Sequence, residues 1–245
     1  MRDEEYRAMF DLEERLWWYH GMRAITGSLL GPVLAGKENQ RMLDLGCGTG
    51  YSCVWFRERF KLETAYGVDV SSHAAEFWHA RGLDTVALAT ADKLPFKENE
   101  FDLVTCFDVI YQLNDERASA AISEIHRVLR PGGLLFIREP AYQWMRGAHD
   151  VAVGTHRRYT RTDLRRLLRS HGFQIRSSTY ANTLLFWMAA PHRLLSKLRG
   201  STESDVKPVP GWLNAILGCA LKLEARLLRR MTFPFGLSVI VLAEK

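Results

Sequence analysis

The stretch Asp44-Leu45-Gly46-Cys47-Gly48-Thr49-Gly50 sets an acid two residues ahead of three glycines at alternate positions. An apolar run enters it from Met42, and a helix-forming run leaves it from Tyr51 to Phe60. A strand, a tight glycine turn and a helix N-terminus make a nucleotide-type site at the edge of a parallel sheet. Glycine lets the chain turn sharply there and lets a ligand approach with no Cβ in the way. The spacing is not that of a dinucleotide fingerprint. With Gly46 and Gly48 as its first two glycines, the third would fall at Tyr51, and it stands one residue early, at Gly50. Asp44 repels a pyrophosphate but attracts a sulfonium or an amino group.

Further residues fall into step behind this turn. Asp69, with Val70 after it, closes a second apolar run 19 residues past Gly50, near the spacing at which an acid accepts from both ribose hydroxyls. Ala91-Asp92-Lys93 follows a third run, where an acid can accept from an exocyclic amine, and Leu94 and Phe96 can flank a planar ring. A fourth run ends at Asp108 and leads into Tyr111-Gln112. Upstream, Trp17-Trp18-Tyr19 puts three aromatics in a row, too many for one core face, so one or more must line a pocket or a neighbour. Their electron-rich rings suit a cation, and Arg23 can pair with a carboxylate. The alternative is a helix stapled to the core by Trp17 and Trp18. Downstream, the segment 148–159 gathers His149, Asp150, His156, Arg157, Arg158 and Tyr159, a candidate substrate rim. His156 is the first choice of general base, with Tyr111 and His149 as further catalytic candidates. The alternative is loop charge plus capping of the next helix by Thr160 or Thr162.

Over residues 41–140 the chain resembles class I S-adenosylmethionine (SAM) dependent methyltransferases. The resemblance is carried by Asp44 with Gly46, Gly48 and Gly50, by Asp69, by Ala91-Asp92 before Leu94-Pro95-Phe96, by Phe101-Asp102, and by Leu129-Arg130-Pro131-Gly132-Gly133. The last elements resemble the type 11 branch, which methylates small molecules. The resemblance implies SAM as cofactor. Asp44 and the turn Gly46, Gly48, Gly50 would hold the methionine end, Asp69 the ribose and Asp92 the adenine amine, with Cys47, Val70, Ala91, Lys93 and Asp108 as neighbouring cofactor-binding candidates; outside the span of the resemblance, Arg23 and Tyr19 are candidates from their residue chemistry alone. Many members carry a His pair after the fourth strand. Tyr111-Gln112 stands there in this chain, so a base from that position is not carried over.

These residues require alternating strands and helices. Strands are expected at Arg41–Leu45, Glu63–Asp69, Asp84–Ala89, Glu100–Asp108, Leu134–Arg138, Phe173–Tyr180 and Gly236–Lys245. Helices are expected over 3–30, at Gly50–Phe60, Ser71–Gly82, Asp115–Leu129 and Thr160–Gly172, and in an insertion at Thr183–Leu198 and Trp212–Met231, split by the loop Gly200–Pro210. The implied fold is α/β, Rossmann-like and doubly wound. It has a seven-stranded, mostly parallel sheet in the order 3-2-1-4-5-7-6, a helical N-terminal lid over 1–40, and a helical cap over 183–235 before the last strand. At 245 residues one domain is expected.

The net charge of +5 is unevenly placed: residues 1–149 hold 17 Lys/Arg against 22 Asp/Glu, and residues 150–230 hold 15 against 5. The basic half is a candidate for an anionic substrate, a membrane surface or nucleic acid, or for ordinary solvated helix faces. No base-amine methylation motif appears, and no nucleic-acid partner is expected. Four cysteines in apolar stretches without paired metal spacing read as buried, reduced thiols. With no apolar leader they point to a cytoplasmic chain, peripheral to a membrane if the 183–230 helices meet lipid. No metal is expected, and the chain is read as a monomer or homodimer. The reading is a SAM-dependent methyltransferase of a small molecule, with secondary metabolites and lipid-like compounds as candidate acceptors. The alternatives are a SAM-binding protein of this fold with non-methylating chemistry, and a membrane- or partner-docked binding protein.

Overall fold

The computed structural model describes residues 3–37, 40–147, 150, 154–188, 190 and 209–245. Its strands are β1 (Arg41–Leu45), β2 (Thr64–Asp69), β3 (Val86–Leu88), β4 (Phe101–Phe107), β5 (Leu129–Pro140), β6 (Gln174–Ala181) and β7 (Ser238–Glu244). They form one sheet in the order 3-2-1-4-5-7-6, as expected. β1 to β5 run parallel, and β7 is antiparallel to both β5 and β6. The helices are α1 (Asp3–Leu12), α2 (Trp17–Leu34), α3 (Tyr51–Phe60), α4 (Ala74–Ala80), α5 (Asp115–Val128), α6 (Arg161–Ser170) and α7 (Gly211–Leu227).

Successive strand residues point to opposite faces, and both faces are covered. Val104, Cys106, Leu135, Ile137 and Val241 pack with Ile122 and Ile125 of α5 and Leu164 and Leu168 of α6. Leu103, Phe136, Ile240 and Leu242 face the other way, toward Met22, Ile25 and Leu30 of α2, Phe56 of α3 and Leu221 of α7. α5 starts on Asn114, whose side chain accepts from the Arg117 N–H, and α6 on a capping box between Thr160 and Asp163.

Several boundaries differ from expectation. The single helix over 3–30 is two, because Glu13 turns inward at the break to accept from Thr49 Oγ1 at 2.5 Å, and Asn214 Oδ1 on α7 caps Trp17 N at 2.8 Å to start α2. β5 begins early, at Leu129, since its register against β4 shifts between Phe101 and Leu103 and takes in the turn at Gly132 (φ 78°). α7 stops at Leu227 rather than Met231. Three cysteines are buried, but Cys219 is exposed on α7.

The insertion is helical over 183–188, at 190 and again in α7, while 189, 191–198 and most of the Gly200–Pro210 loop lie outside the described residues. α7 lies on α2 at a close approach: a Cβ on Gly21 would come within 2.1 Å of Leu221 Cδ1. The buried Glu224 carboxylate accepts from Leu184 N at 3.2 Å and so fastens α7 to the start of the 183–188 stretch, as an acid does at a helix N-terminus. No helix among the described residues is long and apolar enough to cross a membrane.

Candidate cofactor and acceptor site

β1 delivers Asp44 to the C-terminal edge of the sheet, where its register partner on β4 is Thr105. Thr105 Oγ1 donates to Asp44 Oδ1 at 2.5 Å. Asp44 is buried, and that burial raises its pKa to about 7, with the Thr105 hydrogen bond and the Arg138 charge offsetting in part. Gly46, Gly48 and Gly50 all have left-handed φ, at 75°, 55° and 82°, which side chains other than glycine rarely adopt. The turn is tied to β2 by the N–H groups of Gly46 and Cys47, both donating to Val68 O, and to α4 by Trp78 Nε1, donating to Gly48 O at 2.8 Å.

Asp69, at the end of β2, faces this turn. Its carboxylate accepts from Gly48 N at 2.9 Å, Ser71 N at 3.0 Å and the Tyr6 hydroxyl at 2.8 Å. Tyr6 belongs to α1, which lies across the turn. Met9 Cε would meet a Cβ on Gly48 at 2.6 Å, so the space above that glycine is filled by the end of a flexible side chain. The break after α1 is locked down by Glu13, which takes Thr49 Oγ1 and, at 2.8 Å, Arg81. Tyr6 thus gives Asp69 the kind of donor that a ribose hydroxyl would give it.

Asp92 holds Arg117 in a two-point ion pair at 2.7 and 3.3 Å, and that guanidinium brings its pKa down to about 2. Ala91 and Asp92 are half-buried, and Lys93 and Val70 are exposed, all beside the C-terminal ends of β2 and β3. An adenine amine reaching Asp92 would share it with Arg117.

On the other side of Asp44, β4 and β5 put Phe107 beside Arg138. The Arg138 guanidinium pairs with Asp108 and lies 5.4 Å from the Trp18 ring and 4.8 Å from the Phe107 ring. Next to it Glu139 is fully buried and accepts from the N–H groups of Val109, Ile110 and Tyr111 at 3.1 to 3.3 Å. Burial, then the Asp108 charge, raises its pKa well above the carboxylate range. Tyr19 packs edge-on against Trp18, and its hydroxyl pKa is raised by burial and by the charge of Glu13, with Asp108 and Arg138 also acting on it. Arg23 donates to Glu13 O at 2.8 Å and lies 4.8 Å from the Tyr51 ring. Tyr19, Arg23 and Asp108 therefore gather on the acceptor side of the turn. Trp17 instead packs toward the α2–α7 contact, and Trp18 turns to Arg138.

Tyr111 is buried, and burial raises its hydroxyl pKa. Its carbonyl accepts from the N–H groups of His156 and Arg157 at 2.8 and 3.0 Å, which ties this part of the 148–159 segment to the turn that follows β4. The His156 side chain is exposed on that rim. Much of the rest of the loop is a lock. Asp150 and Arg158, both buried, pair at 2.7 and 3.0 Å, Arg158 also donates to Ala141 O, and Tyr159 is core. His149 lies outside the described residues. Sequence reasoning missed Tyr6, Met9, Glu13, Arg117 and the Arg138–Glu139 pair. The last had a signal: two charged residues directly follow the apolar run Leu134–Ile137 at the ligand edge.

The sheet order, the glycine turn after a buried acid and the second acid facing it define the class I methyltransferase architecture. Residues 43–137 match the family model of the methyltransferase domain, and the segment is a SAM-dependent methyltransferase domain of this class. An uncharacterized methyltransferase of Synechocystis is 36% identical over 106 residues, covering 41% of this chain and 47% of its own. The ubiquinone/menaquinone biosynthesis C-methyltransferase UbiE of Neisseria meningitidis is 35% identical over 123 residues, covering 46% and 49%. The chain thus spans about half the length of the curated relatives it matches. Among solved structures, a chain from the complex between the Haloferax volcanii Trm112 methyltransferase activator and a methyltransferase aligns over 99% of this chain and 94% of its own, with a TM-score of 0.63 and 18% identity, a likeness of fold.

Proposed function

We propose that this chain transfers a methyl group from SAM to a small-molecule acceptor at the C-terminal edge of its sheet. The observation that carries the reading is the juxtaposition of three left-handed glycines with two acids of different character: Asp44 buried behind the turn, and Asp69 facing it with Gly48 N on its carboxylate. The residues fit the cofactor. Asp69 is an acceptor pair suited to a vicinal diol, Asp92 can take an amine, and the backbone of Gly46 to Gly50 together with Arg23 suits an amino-acid end. Bound there, SAM supplies a methyl already activated by its sulfonium.

The protein's own part is then placement and exclusion of water. Trp18 and Phe107, clamped on Arg138, give the acceptor side a flat aromatic wall. Beyond them Tyr142 stacks on Tyr180 and Trp144 and meets Phe186, which packs on Phe235. This apolar rim supports an acceptor with an apolar body, and the quinone-biosynthesis activity in the name of UbiE is consistent with that. His156, the imidazole on the rim, is the proposed base for an acidic hydroxyl or carbon. Release of demethylated SAM in the presence of phenols, catechols and quinols tests the proposal. Turnover with at least one of them should fall by about 10²-fold or more in His156→Ala, with KM for SAM unmoved. Absence of product release from a chain that binds SAM would overturn methyl transfer, and equal turnover in His156→Ala would remove the base.

A further inference from the structure

The helix α7 has three sectors rather than two. At 3.6 residues per turn, Gly218, Leu221, Glu224 and Ala225 share the buried face. Lys222 and Arg226 follow on one flank, with Arg229 in the turn just past the helix end lining the same groove. Trp212, Ile216, Cys219, Leu223 and Leu227 fill most of the remaining circumference, and this apolar sector is turned outward: Trp212 is 67%, Ile216 57% and Leu223 50% exposed. Trp187 and Met188, on the neighbouring helical stretch, are also exposed.

The basic flank forms one wall of a groove. A cavity of about 410 Å³ between α2, α3 and α7 is lined by Arg23, Arg59, Lys222, Arg226 and Arg229, with His20. A second groove, of about 500 Å³, continues from it through the shared Arg59 and Arg229 to Lys37 and Lys61. Neither lining contains an Asp or a Glu. Arg59, Lys222, Arg226 and Arg229 form no ion pair with any carboxylate among the described residues. The burial of His20 and the charges of Arg23 and Lys222 lower its pKa, so it adds little charge of its own. Like charges crowded without counter-charge raise the local potential and favour an anion.

We infer that this face docks on an anionic lipid bilayer. Lys222, Arg226, Arg229 and Arg59 would meet headgroup phosphates, and Trp212, Ile216, Leu223 and Leu227 would enter the interfacial layer. A strong cationic flank beside a Trp- and Leu-bearing apolar sector is the pattern of a helix that lies in the membrane plane. Charge complementarity selects this occupant over a second copy of the chain. A two-fold contact through α7 would bring the basic flanks of both copies into one interface, where the only carboxylate of α7, Glu224, is buried and cannot pair them. The inference does not depend on methyl transfer.

Flotation of the full chain with vesicles tests it, comparing phosphatidylcholine alone with phosphatidylcholine containing about 30% phosphatidylglycerol. The bound fraction should be about tenfold higher on the anionic vesicles and should collapse at about 0.5 M NaCl. Arg226→Glu/Arg229→Glu should lower it about tenfold or more, and Trp212→Ala/Ile216→Ala should lower it on its own while removing a blue shift of tryptophan emission. All four positions are outward-facing or groove-lining, and unchanged circular dichroism melts would establish folding. Equal flotation on both vesicle types, no flotation, or binding unmoved by either double variant would overturn the proposal. So would displacement by millimolar inorganic phosphate, which marks a small-anion site, or a dimer in solution abolished by Trp212→Ala/Ile216→Ala, which assigns the apolar sector to a second copy.

Discussion

Asp44 combines two demands that conflict until a cation arrives. Its ordinary carboxylate pKa of 3.8 is raised to about 7 because burial strips water from the charged form. Between those two values the folded chain keeps a proton that the unfolded chain releases. The group's contribution to stability is therefore full below about pH 4 and is lost as pH rises through about 7. Asp44→Asn, which cannot ionise, should gain Tm relative to wild type as pH goes from 5 to 8, measured as a widening difference between the two melting curves. A bound sulfonium favours the ionised carboxylate, so SAM should bind more weakly as pH falls from 8 to 6. That slope should flatten in Asp44→Asn, and an unchanged slope would place the titrating group elsewhere. Asp150 and Arg158 show the opposite case, a buried pair satisfied within the protein. Arg158→Ala strips Asp150 of its two-point partner and should cost about 3 kcal/mol or more, read as a lower midpoint in urea.

Among the elements, α1 governs entry to the cofactor cradle. Its Tyr6 hydroxyl lies on Asp69, its Met9 fills the space over Gly48, and Glu13 ties its end to Thr49 and Arg81. A ribose must share Asp69 with Tyr6 or displace it. Tyr6→Phe removes the competing donor, and since one such hydrogen bond is worth about 1 kcal/mol net, SAM should bind about fivefold tighter. Weaker binding in Tyr6→Phe would mean instead that the hydroxyl helps to hold the ligand. The sheet that supports all this was legible because each βα unit carries its own punctuation. Gly46 to Gly50 and Asp69 mark strand ends by residue type alone, Leu129–Gly133 marks the entry to β5, and the strand order was implied by the resemblance to class I methyltransferases. α1 was not legible in its detail. Tyr6, Met9 and Glu13 sit at ordinary helical spacing, and only the tertiary packing against Gly48 and Thr49 gives them meaning. The loop 148–159 was only partly legible for a related reason. Its crowd of charged residues reads as a reactive rim, yet Asp150 with Arg158 closes on itself, and only folding shows which charges neutralise each other.

At the scale of the whole molecule, the acids that mark the cofactor edge come from the first half of the chain, and the basic groove joins Arg23, Lys37, Arg59 and Lys61 of that half to Lys222, Arg226 and Arg229 of the second. The charge asymmetry was visible in the sequence, but the grouping of Arg59 on α3 and Lys61 just past it with Lys222, Arg226 and Arg229 was not, because it joins segments distant along the chain.

The most direct test of the cofactor site is calorimetric titration of SAM and of its demethylated product into wild type and Asp69→Ala. Each lost charge-assisted hydrogen bond is worth about 1.5 to 3 kcal/mol, so micromolar binding of both ligands to wild type should weaken by about 10²-fold in the variant. Absence of heat with wild type at high protein concentration, or equal affinity in Asp69→Ala, would contradict the account.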